Sequence, residues 1–342
     1  MTFLDLFSGI GGFRYGLEKA GHSCIGYCEI DSYARQSYQS IFTTSNEVEM
    51  HDITKLSDEF IRSIGSVDVI CGGFPCQAFS IAGKRKGFAD TRGTLFFEIA
   101  RFASILKPKY LFLENVKGLL NHEGGATFET ILRVLDELGY DVEWQCINSK
   151  NYVPQYRERI YIIGRLRGSG ACSVFPISRE NRSIGSHTKR ELFDSMNSSK
   201  GGDTKSKIII KEATKQGYSE AMPGDSINFA FLNSNCRRGR VGKQRANTLL
   251  TNDQQCVVTS DLRIRKLTPL ECWRLQAFPD WAFLAAKFGS REIALEIIEQ
   301  EMSHYECPYE VKMSNTQLYK QAGNSVTTTV IFEIAKHFQI ID

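Results

Sequence analysis

Short apolar runs of strand length recur through the first half of the chain: TFLDLF, HSCIGYCEI, VEMHDI, VDVICGGF and KYLFLEN. Each is followed by a loop or by a stretch with helical spacing, such as GGFRYGLEKAG or LFFEIARFASILK. That alternation predicts βα units around a parallel sheet. GYDVEWQCIN and RIYIIGRL read as two further strands and complete an α/β body by about residue 165. The next hundred or so residues change character. SRENRSIGSHTKRE, SMNSSKGGDTKSK and NSNCRRGRVGKQR are polar, Gly/Ser-rich and basic, and KIIIKEA and QCVVTSD stand among them as isolated strands. Helical spacing returns in TPLECWRLQAF and SREIALEIIEQEM, and TVIFEIAKHF has the spacing of a helix that packs back on the first body. No internal repeat is visible.

Composition narrows the class. With 342 residues, 42% hydrophobic and 24% charged, the chain can bury a large core and has room for two domains. No apolar run reaches the roughly 18 residues of a membrane span, and MTFLDLF leads straight into a strand pattern, so a cytoplasmic protein is expected. Its ten cysteines are scattered singly, without CxxC or Cys/His clusters, which argues against a disulfide framework and against a metal site. The net charge of +3 hides an asymmetry. Between residues 165 and 265 there are 18 Lys/Arg against nine Asp/Glu, while the remainder is acidic. A basic middle segment in an acidic body points to a polyanionic partner, nucleic acid above all.

In an open parallel sheet, ligands collect beyond the carboxyl ends of the strands. DLFSGIGGF brings Gly9, Gly11 and Gly12 to the first such end, and Glu29 follows 20 residues after Gly9, where an acid can hold a ribose. Asp52, at the third end, suits either an adenine amino group or the cap of a helix starting at Ile53. Arg14 stands where a dinucleotide fingerprint wants its third glycine. The loop therefore fits S-adenosylmethionine, an adenosine cofactor without a pyrophosphate, better than NAD. The fourth strand runs into GGFPCQ, where Gly72 and Gly73 permit a sharp exit, Pro75 stiffens it and Cys76 faces the crevice. Glu114 and Asn115 leave the fifth strand towards the same place, either as a proton donor with its neighbour or as caps of a following helix. Arg157 and Arg159, spaced by two, share a face of an extended segment, as a surface pair or as part of the site.

DLFSGIGGF, GGFPCQAFS, GTLFFE, LENV, PQYRERIYIIG, KLTPLECWRLQAFP and QAGNSV, in that order, closely resemble the ordered motifs of the DNA (cytosine-5)-methyltransferases, especially the compact bacterial modification enzymes. The resemblance spans essentially the whole chain. It implies a Rossmann-like sheet that uses S-adenosylmethionine, with an inserted, irregular, β-rich target-recognition domain. The implied division is 1–168 for catalysis and cofactor, 169–262 for recognition, 263–316 for a hinge and helical segment, and 317–342 for the C-terminal return. Cys76 would be the thiolate that attacks carbon 6 of cytosine, and Glu114 would supply a proton to ring nitrogen 3, its burial keeping that proton available near neutral pH. Asn115, Arg157 and Arg159 would complete the catalytic neighbourhood. Implied cofactor contacts are Phe7, Gly9, Gly11, Gly12, Glu29, Ile30, Asp52, Ile53, Pro75, Leu95, Asn324 and Ser325, with Ile30 standing where many members place an aromatic residue against the adenine.

A target carbon inside a duplex is out of reach of a thiol on a crevice floor, so the cytosine must be flipped out. Gln77, Ser80, Lys84, Arg85 and Arg92 follow the cysteine motif as candidate DNA contacts. In the middle segment, Arg237, Arg238, Arg240, Arg245 and Thr248 are further candidates, Thr248 and Leu249 resembling the family's Thr-Leu signature. The partner is expected to be double-stranded DNA, the protein monomeric, and a cognate restriction endonuclease would share the target sequence without binding this chain. Residues 284–313 look like additional helical material with no role beyond packing. Two other readings remain open. A tRNA-methylating enzyme is opposed by the long basic insert, and a catalytically silent DNA-binding protein by the intact Cys76, Glu114, Arg159 and Asn324.

Overall fold

The computed structural model describes residues 1–75, 95–177, 207–230, 234, 236, 238–252 and 254–341. Met1–Ile147, Glu158–Arg179 and Thr328–Asp342 form one compact unit; Asn148–Arg157 and Glu180–Thr327 form a second. The strands of the first unit are β1 (Thr2–Leu6), β2 (Ser23–Cys28), β3 (Val48–Met50), β4 (Val69–Gly73), β5 (Tyr110–Val116), β6 (Tyr140–Asn148) and β7 (Glu158–Leu166). Its helices are α1 (Gly12–Lys19), α2 (Ser32–Ile41), α3 (Asp58–Ser63), α4 (Leu95–Leu106) and α5 (Ala126–Glu137). In the second unit lie β8 (Ile208–Lys211), β9 (Tyr218–Ala221), β10 (Ser226–Asn228), β11 (Val241–Gly242), β12 (Gln255–Val258) and β13 (Ile264–Lys266), then α6 (Pro269–Leu275), α7 (Asp280–Phe288), α8 (Arg291–Glu299) and α9 (Asn315–Asn324). A last helix, α10 (Thr328–Ala335), returns to the first unit.

Seven strands form one sheet in the order β3-β2-β1-β4-β5-β7-β6. β1 to β5 are joined in parallel, as the βα alternation predicts, and their near-continuous apolar sequences are buried. The expectation of a parallel sheet fails at β7, which pairs antiparallel to β5 with Glu114 opposite Tyr161 and Val116 opposite Arg159. Between β6 and β7 the chain makes only a short 3₁₀ turn, Ser149–Asn151. That connection is too short for a helical crossover.

α1 is held from two directions. Gly16 lies so close to α10 that a Cβ there would sit 2.6 Å from Ile331 Cβ. Arg14, buried, bonds Glu47 through both terminal nitrogens at 2.7 Å and Glu18 at 2.8 Å, and its guanidinium lies 4.4 Å over the Phe42 ring. Beyond α10, Phe338 stacks on Tyr110 at 4.6 Å and the Tyr110 hydroxyl donates to the Gln339 carbonyl at 2.6 Å. Beneath the first loop, Asp5 is fully buried and accepts from the Tyr38 hydroxyl at 3.4 Å. Burial pushes its carboxyl well above the usual range, with the Arg14 charge and hydrogen bonds from Cys71 and Tyr38 opposing. Cys24 and Cys28 are likewise pushed up to about 12 by burial, which keeps them as thiols.

The second unit holds a four-stranded sheet in the order β11-β10-β12-β13 and a two-stranded sheet, β8-β9, with antiparallel pairs throughout. KIIIKEA and QCVVTSD are therefore not isolated strands. Their partners, such as SIN and VG, are too short to show any periodicity.

Gly16→Val should cost about 1–3 kcal/mol by forcing α1 off α10, read as a shift in denaturant midpoint. Asp5 binds its proton more tightly folded than unfolded, so it makes stability fall as pH rises from near 3.8 through the folded value. Asp5→Asn should flatten that fall in midpoints measured from about pH 4 to about pH 8, and an unaltered slope would assign the dependence to another group.

Candidate active site

Strand order reverses between β1 and β4, so the loops leaving their carboxyl ends diverge and open a crevice. Gly72 allows the two ends to meet, since a Cβ there would lie 2.2 Å from the Leu6 carbonyl oxygen. Leaving β1, the chain takes positive φ at Phe7 (55°), Gly9 (55°) and Gly11 (82°). A Cβ on Gly11 would strike the Phe42 ring, whereas one on Gly9 would meet nothing within 4 Å. Gly11 thus serves packing, whereas the space beside Gly9 is open. Gly12 then begins α1.

Beside this loop, Glu29 accepts from the Gly9 amide through Oε2 and from the Asp31 amide through Oε1, both at 2.8 Å. Ile30 is 70% exposed. Asp52 caps the 3₁₀ turn Ile53–Lys55, accepting from Thr54 N at 3.1 Å and Thr54 Oγ1 at 2.7 Å, and these bonds, with Lys55, hold its carboxyl below the usual range. Of the two roles open to it in the sequence, the cap is formed. Ile53 itself is buried, Pro75 is exposed just past β4, and Leu95, half-buried, starts α4.

The neighbouring strands bring the chemistry together. Glu114, at the end of β5, is buried and faces Gly73 across the β4–β5 ladder, where a Cβ would come within 3.1 Å of its Oε2. Arg159 opposes Val116, and its Nε reaches diagonally to Glu114 Oε1 at 2.9 Å. Asn115 donates through Nδ2 to the Phe74 carbonyl at 2.9 Å and accepts the Val116 amide at 2.8 Å. The segment that leads to the cysteine motif is thereby tied to β5. Capping is not what these two residues do: the 3₁₀ stretch Lys117–Gly125 begins at Val116 without a side-chain cap. Cys76, Gln77, Ser80, Lys84, Arg85 and Arg92 lie outside the described residues.

Arg157 is buried and donates to backbone carbonyls. Although two residues from Arg159, it belongs to the second unit, where it is 3% exposed and donates to the Ser325 carbonyl at 2.8 Å and the Gly323 carbonyl at 3.4 Å. It is a structural clamp there, and neither arginine is a surface residue. Gln155 extends the clamp, donating to the Leu275 carbonyl and accepting from the Leu249 amide, each at 2.9 Å. Gln276 donates to the Ala322 carbonyl at 2.7 Å and accepts from Thr327 Oγ1 at 3.0 Å. Gly323 lets Leu250 lie against α9, its Cβ position being 2.2 Å from the Leu250 carbonyl. PQYRER, TLLT, RLQAF and QAGNSV, widely separated in sequence, thus meet in one buried network. Gln155 and Gln276 escaped the sequence reading, although Gln155 shares Arg157's face by the same spacing of two. Asn324 closes α9 and Ser325 follows it, both within this unit.

The DNA candidates divide. Arg240 is corrected: it is 3% exposed and donates to the Ala230 carbonyl at 3.1 Å and the Asn228 carbonyl at 3.4 Å, which removes it from any surface. Arg238 and Arg245 are exposed; Arg237 lies outside the described residues. Thr248 donates to the Tyr156 carbonyl at 2.7 Å. Tyr156 is itself exposed, with the Lys150 ammonium 5.7 Å from its ring, a cation and aromatic pair that the sequence reading passed over.

Residues 1–339 match the family described as C-5 cytosine-specific DNA methylase. The chain belongs to this family. Among similar curated proteins, the type II methyltransferase M.HpaII of Haemophilus parainfluenzae is 38% identical over 355 residues, covering 96% of this chain and 87% of that protein. The type II methyltransferase M.HhaI of Haemophilus parahaemolyticus is 31% identical over 346 residues, covering 98% and 93%. A solved structure of a Spodoptera frugiperda DNMT2 mutant aligns over 98% of both chains with a TM-score of 0.59 at 18% identity, a likeness of fold alone. The fold class expected from the sequence, a Rossmann-like sheet with a smaller β-rich domain, is the one observed: a large, mostly parallel sheet in the first unit and small antiparallel sheets in the second. Among the described residues there is no cluster that could hold a metal and no helix long and apolar enough to cross a membrane.

Removing the clamp should be costly in this methylase. Arg157→Ala leaves buried carbonyls without their donor and should destabilise the protein by about 3 kcal/mol, measured by chemical denaturation. A loss near zero would mean that water replaces the guanidinium.

Proposed function

We propose that this DNA cytosine-5 methylase transfers a methyl group from S-adenosylmethionine to carbon 5 of a cytosine flipped out of duplex DNA, through a covalent bond between Cys76 and carbon 6. The observation that carries this reading is the set of three strand ends: Asn115 tying the Phe74 carbonyl, and Glu114 buried against Gly73 and Arg159. Cys76 follows Phe74 by two residues. Its thiolate forms the sulfur–carbon bond, and the displaced electron pair makes carbon 5 nucleophilic. Glu114 shares a proton with ring nitrogen 3, and Arg159, at 2.9 Å, fixes the carboxyl in place. After the methyl group is bound, loss of the carbon 5 proton to a base expels the thiolate and restores the ring.

The residues around β1 fit the cofactor. An open backbone at Gly9 leaves room for its amino acid portion, Glu29 has lone pairs left for two ribose hydroxyls, and exposed Ile30 offers an apolar face to an adenine. S-adenosylmethionine would supply an electrophilic methyl group on a sulfonium. For Phe7, Gly11, Gly12, Asp52, Ile53, Pro75, Leu95, Asn324 and Ser325 the assignment rests on resemblance. So do the DNA contacts of Gln77, Ser80, Lys84, Arg85, Arg92, Arg237 and Thr248, whereas Arg238 and Arg245 have exposure in their favour. Relatives named as type II methyltransferases support a place in a restriction–modification system, with cytoplasmic location and a separate endonuclease reading the same sequence.

Duplex DNA carrying 5-fluorocytosine at the target should trap a covalent complex, because fluorine cannot leave as a proton does. Cys76→Ser should give none; an adduct at the wild-type rate would sink the assignment. Glu114→Gln should lower methyl transfer by about 10²–10⁴ with cofactor affinity retained, whereas a large loss of cofactor binding would make Glu114 structural.

A further inference from the structure

Residues 284–313, expected only to pack, help enclose a cavity of about 270 Å³ wholly within the second unit. Phe283 and Lys287 of α7, His304 and Tyr305 from the segment after α8, Lys266 at the end of β13 and Tyr319 of α9 stand in its wall. None of the wall residues is an aspartate or glutamate. Lys287 is the unusual member. It is 7% exposed, its ammonium donates to the His304 carbonyl at 2.7 Å, and it lies 5.0 Å from the Phe288 ring and 5.2 Å from the Tyr305 ring. Among the described residues no carboxylate comes within ion-pair distance of it. Buried cations are ordinarily paired with an anion, and one carbonyl takes up only one of three N–H groups. Burial holds this ammonium below its ordinary pKa, with Cys307 opposing.

Of the aromatic wall residues Tyr305 faces outwards, whereas Phe283 is buried. Tyr305 is 71% exposed, its ring 4.1 Å from that of His304, which stands edge-on to Phe283. His304 is also held below its usual pKa, by burial and then by Lys287. An exposed aromatic platform next to an unneutralised cation is the pairing by which proteins hold one nucleotide, the base stacking and the phosphate meeting the charge. About 270 Å³ with an open mouth accommodates a base or a phosphate, leaving the sugar towards solvent.

We propose that this cavity of the second unit binds a single phosphate-bearing nucleotide, base on Tyr305 and His304 and phosphate on Lys287 and Lys266. The nucleotide comes either free or as part of a strand, and the chemistry is shared. The site takes no part in the reaction above and stands or falls independently of it.

The test uses the full chain and 5-iododeoxyuridine 5′-monophosphate, whose iodinated ring photolinks to aromatic side chains, supplied free and as one residue of a short non-target oligonucleotide. Linked peptides should contain His304 and Tyr305. Lys287→Met, which keeps the length of the side chain, should lower the yield about tenfold, and Lys287→Arg should restore it. The nucleoside without phosphate should link as poorly as it does to Lys287→Met. Linking by the free nucleotide alone identifies a small-molecule site, and linking by the oligonucleotide alone a strand contact. Should Lys287→Met fail to fold, Tyr305→Ala, altered at an exposed ring, takes its place with the same expected loss. No adduct at these residues with either probe, or equal yields from wild type and variants, overturns the proposal.

Discussion

A guanidinium that is almost wholly buried has to be surrounded by acceptors, and around Arg157 those acceptors are backbone carbonyls. Carbonyls cannot move independently of the chain that carries them. Once Ser325 and Gly323 are drawn to Arg157, the end of α9 is fixed; once Gln155 binds Leu249 and Leu275, the Thr-Leu segment and α6 are fixed with it. Four motifs that look unrelated along the sequence are obliged to converge because one charge has been taken out of water. The next strand then starts one residue later, so the same short stretch that closes the second unit also supplies Arg159 to the first.

Much of this was legible beforehand because it is local. Alternating apolar runs marked β1 to β7, and the helical spacing of TVIFEIAKHF marked α10. The resemblance of seven ordered motifs identified the family. What stayed hidden is non-local. Composition cannot say whether β7 runs with or against β5, since that depends on where β6 has left the chain. Nor does a basic patch reveal its own burial: Arg238 and Arg240 sit in the same run of cations, yet Arg238 is exposed while Arg240 is buried against the Asn228 and Ala230 carbonyls. Spacing by two does not give Arg157 and Arg159 the same neighbours, because the boundary between units falls between Arg157 and Glu158.

The same contrast separates two kinds of basic residue in the middle segment. Its charge excess is real in the sequence, yet part of it is spent internally, on carbonyls by Arg240 and on Asp225 by Lys243. Long-range attraction for a polyanion survives such pairing only in the residues left exposed, among them Arg238 and Arg245. Counting cations along a chain therefore overstates the field its surface presents.

Glu29 shows how a carboxylate can be ordered by the fold itself. Its two oxygens are already anchored by separate backbone amides, Gly9 and Asp31, so the carboxylate has one orientation and its remaining lone pairs point where no side chain motion is needed. A glutamate that had to be frozen on binding would surrender about 0.5–1.5 kcal/mol of rotamer entropy. Here that loss has been absorbed by folding, since both oxygens are already held by backbone amides.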